Sequence, residues 1–207
     1  MISIIDCGGA NLQSVIYAID GLKVNYKICK NKNDIKNSSA IILPGVGAAK
    51  NVMQNLCDQD LVDAIRDYSN PVLGICVGMQ IFYEYSEEEN TKCLGILPGK
   101  VKKFANSDLV IPHMGWNKVT FENEKYADCN GYYYFANSFY AEIDKNTLAK
   151  TKYGKEFCSF VNKDNFYGVQ FHPEKSSTNG LTFLKNFFNN LCCLLYTSDA
   201  ADDLWCV

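Results

Sequence analysis

Short apolar runs alternate with amphipathic stretches along the first half of the chain. The runs are almost continuously hydrophobic, which is typical of strands buried on both faces. Between them, LQSVIYAIDGL (12–22) has apolar residues at helical spacing, and Asn11 is placed to cap that helix. The alternation predicts a parallel sheet covered by helices on both faces. The predicted strands are ISIID (2–6), VNYKIC (24–29), AIIL (40–43) and PVLGI (71–75), and a further helical stretch covers about 48–68.

The second half has a different pattern. Its apolar runs are rich in Tyr, Phe, Val and Thr, and several alternate in polarity, which favours antiparallel strands. An amphipathic helix, GLTFLKNFFNNL (180–191), follows them. We therefore predict an α/β fold whose sheet is mostly parallel first and antiparallel later, with helices on both faces. The strands predicted in this half are KVKKF, NKVTF, YYYFANSFYAEI, LAKTKY, FCSFVN and FYGVQF.

Length and composition suit a single domain. The chain has 207 residues, and we assign 1–192 to one α/β domain. Residues 193–207 change composition and have no periodic face, so a disordered or non-native tail is predicted there. A net charge of −3 without a basic cluster argues against nucleic-acid binding. No apolar run approaches the ~20 residues that span a bilayer, and no signal peptide is recognised, so a cytoplasmic protein is expected.

The ten cysteines are scattered along the chain, several within apolar runs. This distribution favours free thiols in a reducing compartment over a disulfide framework. A zinc site is disfavoured because there is no CxxC pair and only two histidines, His113 and His172. Any mechanism that needs an imidazole must use one of these two.

One cysteine lies where PVLGICVGMQ (71–80) turns from an apolar strand towards a helix. GICVG has the form of a G-x-S-x-G nucleophile elbow with Cys in place of Ser. Gly74 and Gly78 leave room for the strained turn that such an elbow requires. The turn places Cys76 at the start of a predicted helix, MQIFYEY, whose N-terminal partial charge favours a thiolate. We predict a reactive nucleophile, with a buried structural cysteine as the alternative.

Two further segments could complete an acyl-transfer site. QFHPE (170–174) presents His172 and Glu174 two residues apart, on one side of an extended chain. A carboxylate beside an imidazole orients the ring and stabilises the imidazolium. The Gly-rich loop PGVG (44–47) exposes backbone N–H groups, although a simple strand-to-helix turn is its other interpretation. An oxyanion hole is predicted from Val46, Gly47 and Val77.

Taken together, these segments resemble the class I glutamine amidotransferases, and among them the glutaminase subunits of imidazole glycerol phosphate synthase. The resemblance implies a flavodoxin-like α/β fold and a Cys76–His172–Glu174 triad that hydrolyses glutamine through a cysteine thioester, with no metal or cofactor. It also implies a heterodimer with a (β/α)8-barrel cyclase that receives the ammonia in histidine biosynthesis. The motifs that carry it, in the same order, are NLQSV, LPGVGA, PVLGICVGMQ, LGILPGKV, IPHMGWNKV and GVQFHPEKSS.

The resemblance assigns further residues to glutamine and to the partner. The expected glutamine-site residues are Gln80, Asn137, Ser138 and Phe139. The expected partner contacts are His113, Met114, Trp116 and Lys175, with core packing as an equal alternative for His113 and Trp116.

This chain departs from the family at two places. It has Asn137-Ser138-Phe139 where the family usually has HSY, which puts substrate affinity or coupling to the partner in question. Cys7 stands where a tyrosine is common. Four alternatives stay open: a paralogue that supplies ammonia for surface amino-sugar synthesis, the glutaminase of pyridoxal phosphate synthesis, an inactive scaffold subunit, and a cysteine hydrolase acting on other substrates.

Overall fold

A computed structural model of the chain describes residues 1–8, 11–105 and 109–189. This part contains thirteen strands and six helices. The predicted boundary at 192 and the predicted tail lie outside the described residues. The strands are β1 (Ile2–Ile5), β2 (Tyr26–Cys29), β3 (Ile41–Gly45), β4 (Val72–Cys76), β5 (Tyr85–Ser86), β6 (Thr91–Lys92), β7 (Lys100–Lys103), β8 (His113–Phe121), β9 (Gly131–Asn137), β10 (Phe139–Ala141), β11 (Thr147–Tyr153), β12 (Lys155–Lys163) and β13 (Phe166–Val169). The helices are α1 (Leu12–Gly21), α2 (Lys32–Lys36), α3 (Ala49–Asp58), α4 (Val62–Arg66), α5 (Val77–Gln80) and α6 (Ser177–Phe187).

The strands form one mixed sheet that agrees with the predicted fold class. The order β2-β1-β3-β4-β13 is parallel throughout, and β13 then pairs antiparallel with β12. β11, β8 and β9 extend the sheet as an antiparallel branch beyond β12. FYGVQF, predicted among antiparallel strands, thus supplies β13, the last strand of this parallel run. Because β13 lies beside β4, the segment that follows β13 and contains His172 lies close to Cys76 at the end of β4.

Burial explains why the parallel strands could be found from the sequence. Every residue of β1, β3 and β4 is buried, as expected for strands covered on both faces. The seven cysteines that the structure describes are all free. In the described ranges, no helix has the length and apolar character needed to cross a bilayer.

The helices differ from the predictions at three places. The stretch 48–68 divides into α3 and α4 because Asp60 has a positive φ of 56°, which ends an α-helix. The predicted helix MQIFYEY is wrong, since α5 is a single turn that ends at Gln80. The carbonyls of Ile81 and Phe82 accept backbone N–H groups of Leu94 and Ile96 at 2.8 Å, so they are not available to a continuing helix. The short helix α2 was not predicted.

Candidate active site

The elbow around Cys76 has the strained geometry that its glycines predict. Cys76 ends β4 with φ 53° and ψ −108°, and its side chain is buried. A Cβ at Gly78 would lie 1.9 Å from the backbone oxygen of Leu43, and a Cβ at Gly74 would lie 2.6 Å from the Gly78 carbonyl. Neither position can hold a larger residue without moving backbone, which confirms the steric reason for the G-x-C-x-G pattern.

His172 reaches the elbow because β13 lies beside β4. The two strands pair in parallel with Val169 opposite Ile75, so the chain beyond β13 runs alongside Cys76. The His172 Nδ1 lies 2.7 Å from Glu174 Oε1, and both side chains are buried. The expected contact is present, but a 3-10 turn at Pro173–Lys175 forms it rather than an extended strand. That turn folds the carboxylate back under the ring.

The electrostatics of this pair favour a charged imidazole. Burial by itself lowers the pKa of His172, but the charge of Cys76 and hydrogen bonds to Cys76 and Glu174 outweigh it, so the pKa rises to about 10. An imidazolium beside a thiol favours the thiolate, which is the nucleophilic form. The arrangement can therefore activate a sulfur nucleophile and later protonate a leaving amine.

The PGVG loop lies next to the elbow, as the oxyanion-hole prediction requires. β3 pairs with β4 so that Gly45 is opposite Cys76, and Val46 and Gly47 follow directly. Gly47 has φ +92°, which favours glycine, and no atom lies within 4 Å of where its Cβ would be. Its backbone therefore borders open space. The Val77 N–H lies at the first residue of α5, directly after the thiol. The role of these three residues in binding an oxyanion stays a prediction.

Asn11 occupies the predicted N-cap position of α1, but its side chain belongs to this site. Its side chain makes no capping hydrogen bond. Instead its Nδ2 donates to Glu174 Oε1, the same oxygen that accepts from His172. Nδ2 also lies 3.3 Å from His172 Nδ1. Since Nδ1 directs its proton to Glu174, that is a packing contact. Asn11 thus orients the carboxylate of the triad.

Buried amides form a hydrogen-bonded group that reaches the thiol through Gln170. Gln80 Nε2 donates to the Phe139 carbonyl at 3.1 Å and to Gln170 Oε1 at 2.9 Å. The Asn137 Nδ2 donates to the same carbonyl at 2.9 Å. The structure thus brings Gln80, Asn137 and Phe139 together, while the neighbouring Ser138 carbonyl accepts from the backbone of Phe104. Sequence reasoning missed Gln170, which lies two residues before His172, directly beyond the end of β13.

Comparison with known proteins agrees with this geometry. The family model "Glutamine amidotransferase class-I" matches residues 3–191.

The chain belongs to the class-I glutamine amidotransferases.

Within this family the chain is similar to the HisH subunits of imidazole glycerol phosphate synthase. It is 44% identical over 190 residues to the subunit of Haemophilus influenzae, covering 90% of this chain and 96% of that protein. It is 42% identical over 194 residues to the Pasteurella multocida subunit, covering 92% and 98%. The sequence-based resemblance is confirmed.

Solved structures of amidotransferases share the fold at lower identity. A crystal structure of a glutamine amidotransferase superposes with a TM-score of 0.72 at 16% identity, covering 92% of this chain and 99% of that one. The structure of PurLQS from Thermotoga maritima gives 0.68 at 17%, covering 91% and 97%. These likenesses support the α/β fold of the class-I amidotransferases.

The residues expected at a partner interface of this amidotransferase do not all face outward. Met114 and Trp116 are 64% and 54% exposed, and Lys175 is also exposed. His113 is buried because side chains alternate along β8, and its ring stacks on Tyr153 with centroids 3.9 Å apart. This burial favours the core-packing alternative for His113, and its role at an interface stays a prediction. In the described part, no group of three His, Cys, Asp or Glu side chains could hold a metal ion.

Proposed function

We propose that the chain hydrolyses glutamine through a thioester on Cys76 and delivers the ammonia to the cyclase subunit of imidazole glycerol phosphate synthase, in histidine biosynthesis. The observation that carries the proposal is the meeting of Cys76, His172 and Glu174 at the ends of β4 and β13. This triad stands in a chain 44% identical to a HisH subunit.

Each triad residue has a defined step in this reaction. His172 holds the proton of Cys76, and the sulfur attacks the carboxamide carbon of glutamine to form a C–S bond. The C–N bond then breaks as His172 gives a proton to nitrogen, and ammonia leaves. Water attacks the γ-glutamyl thioester while His172 accepts its proton, releasing glutamate and the thiolate. Glu174 keeps Nδ1 protonated and the ring oriented throughout.

Backbone donors stabilise the negative oxygen formed in both attacks. We assign this role to the N–H of Val77 with a donor from Val46 or Gly47. The first follows the nucleophile directly, and the loop lies beside it through the β3–β4 pairing. The loss of one such donor typically lowers kcat by about 100- to 1000-fold. Gln80, Asn137, Ser138 and Phe139 are the proposed contacts to the substrate.

Ammonia must leave the site without entering bulk water, because there it is mostly protonated and no longer nucleophilic. We therefore propose a (β/α)8-barrel cyclase as a docked partner in a heterodimer. Met114, Trp116 and Lys175 supply an exposed apolar and cationic surface for it. The Trp116 ring packs edge-on against Tyr134, whose carbonyl accepts the backbone N–H of His172 at 2.9 Å. This surface is thus linked to the triad by one residue.

The test is glutamate release by the purified chain, alone and with the barrel partner loaded with its ribonucleotide. Cys76→Ala should abolish release. Cys57→Ala, which changes an exposed free cysteine, should leave it intact. A strong increase with the loaded barrel is expected. Activity with a different barrel alone would favour the amino-sugar paralogue, and no release in any pairing would favour the inactive scaffold.

A further inference from the structure

The sulfur of Cys76, the proposed nucleophile, lies in a place that water scarcely reaches. The residue is only 4% exposed, and a buried charge is costly unless it is paired and hydrogen-bonded. His172, backed by Glu174, covers one side of the sulfur. Of these two titratable groups, His172 hydrogen-bonds Cys76 and Glu174 hydrogen-bonds His172. A second donor, from another side chain, would complete the stabilisation of the charge.

Gln170 supplies a side chain at that position. It is fully buried, and its Nε2 lies 3.6 Å from Cys76 Sγ, within hydrogen-bonding reach of a sulfur atom. Val169, the last residue of β13, lies opposite Ile75, so Gln170, directly beyond β13, lies beside Cys76 at the end of β4. His172, two residues later, also hydrogen-bonds Cys76.

The direction of the Gln170 amide follows from its other contact. The Phe139 carbonyl can only accept a hydrogen bond, so Gln80 must present its Nε2 there. The same Nε2 lies 2.9 Å from the Gln170 amide and donates to it, so Gln170 must present its oxygen to Gln80. Its two N–H donors are then left on the side of Cys76. Exchanging the oxygen and nitrogen of the Gln170 amide would set its N–H₂ against that of Gln80, two donors without an acceptor.

We infer that Gln170 is a further catalytic residue of the glutaminase, donating an N–H to the Cys76 thiolate, and that Gln80 positions it. The inference rests on the proposed role of Cys76 as the nucleophile. A hydrogen bond to a charged group is among the stronger ones in proteins. Its loss should therefore weaken formation of the thiolate more than it weakens the fold.

The test measures the pH dependence of Cys76 alkylation by iodoacetamide, quantified on the peptide that contains Cys76. Gln170→Leu removes the donor, and Gln170→Glu keeps the shape and the bond from Gln80 but replaces the N–H₂ by an oxygen. Cys57, exposed and free, is an internal reference in every sample. Ser159→Ala is the matched control, because Ser159 is fully buried on β12 beside Gln170 and its hydroxyl makes no hydrogen bond.

In both Gln170 variants the alkylation midpoint of Cys76 should rise by about one pH unit or more, since a hydrogen bond to a charge contributes on that order. Glutamine turnover should fall by about 10- to 100-fold in kcat with little change in KM. Ser159→Ala and the Cys57 reference should be unchanged. Should Gln170→Leu fail to fold, Gln170→Met, which also lacks the donor and adds no charge, gives the same measurement.

Two outcomes separate this inference from the proposed function. An unchanged Cys76 midpoint in a folded Gln170 variant would overturn the inference, even if Cys76→Ala abolishes turnover. A shifted midpoint in a chain whose turnover survives Cys76→Ala would retain the hydrogen bond but refute both the nucleophile and the catalytic role of Gln170.

Discussion

A single methyl group at position 78 should displace the nucleophile elbow. Gly78 lies in α5 with no positive φ, and in a helix alanine is favoured over glycine by about 0.5–1 kcal/mol. Helix propensity alone would therefore make Gly78→Ala stabilising. The packing gives the opposite sign, because the added Cβ would lie 1.9 Å from Leu43 O and 3.0 Å from Leu43 C.

The size of the clash decides between the two effects. Carbon and oxygen atoms approach to about 3.3 Å, so the elbow and the Leu43 carbonyl must separate by about 1.4 Å from the 1.9 Å that the structure gives. Leu43 belongs to β3, which pairs with β4 along five residue pairs ending at Gly45 and Cys76. Neither strand can move alone. Overpacking typically costs about 1–3 kcal/mol and sometimes more, so we expect a net loss of about 3 kcal/mol.

The assay is urea unfolding of Gly78→Ala beside Gly21→Ala. Gly21 ends α1 and has nothing within 4 Å of its would-be Cβ, so that variant should be neutral or slightly stabilised. Gly78→Ala should also lower the alkylation rate of Cys76, since the thiol shifts away from His172. A Gly78→Ala chain as stable and as reactive as the wild type would refute this account of the elbow.

Three further predictions concern other parts of the site and the partner surface. Asn11→Asp should reduce kcat about 10- to 100-fold in initial-rate assays, because it sets a second carboxylate against buried Glu174. Burial lowers the pKa of His113 from 6.5 to about 4. Between these pH values His113 is therefore protonated in the unfolded chain and neutral in the folded one. The free energy of unfolding should therefore fall as the pH is lowered from 6.5 to 4. Urea midpoints should show a smaller fall in His113→Phe. Trp116→Ala should weaken calorimetric binding to the barrel by about 2 kcal/mol and leave Tm unchanged, since the ring is half exposed.

The elements that the sequence predicts well are those with local causes. Buried parallel strands are nearly continuous apolar runs, so β1, β3 and β4 could be placed within a residue or two. The elbow could be recognised because residues 74 and 78 lie so close to other backbone atoms that only glycine fits. The short length of α5 could not be predicted. A longer helix would need the carbonyls of residues 81–83, which instead accept N–H groups of residues 94–97.

The missed site residues depend on contacts between distant parts of the chain. Asn11 before an amphipathic helix has the local signature of an N-cap, yet its partner Glu174 is 163 residues away. Gln170 contacts a thiol 94 residues away, and only the insertion of β13 beside β4 brings them together. One local signal was present, since Gln170 lies in the same short motif as His172, QFHPE. The burial of His113 likewise follows from which face of β8 meets the core.

The central claim is that Cys76 forms a covalent thioester with glutamine. The most direct measurement is mass spectrometry of the chain quenched in acid during turnover, with glutamine present and the loaded barrel partner bound. We predict a γ-glutamyl group on the Cys76 peptide that is absent from Cys76→Ala. Glutamate release with no adduct on the wild-type Cys76 peptide, and with full activity in Cys76→Ala, would contradict the account.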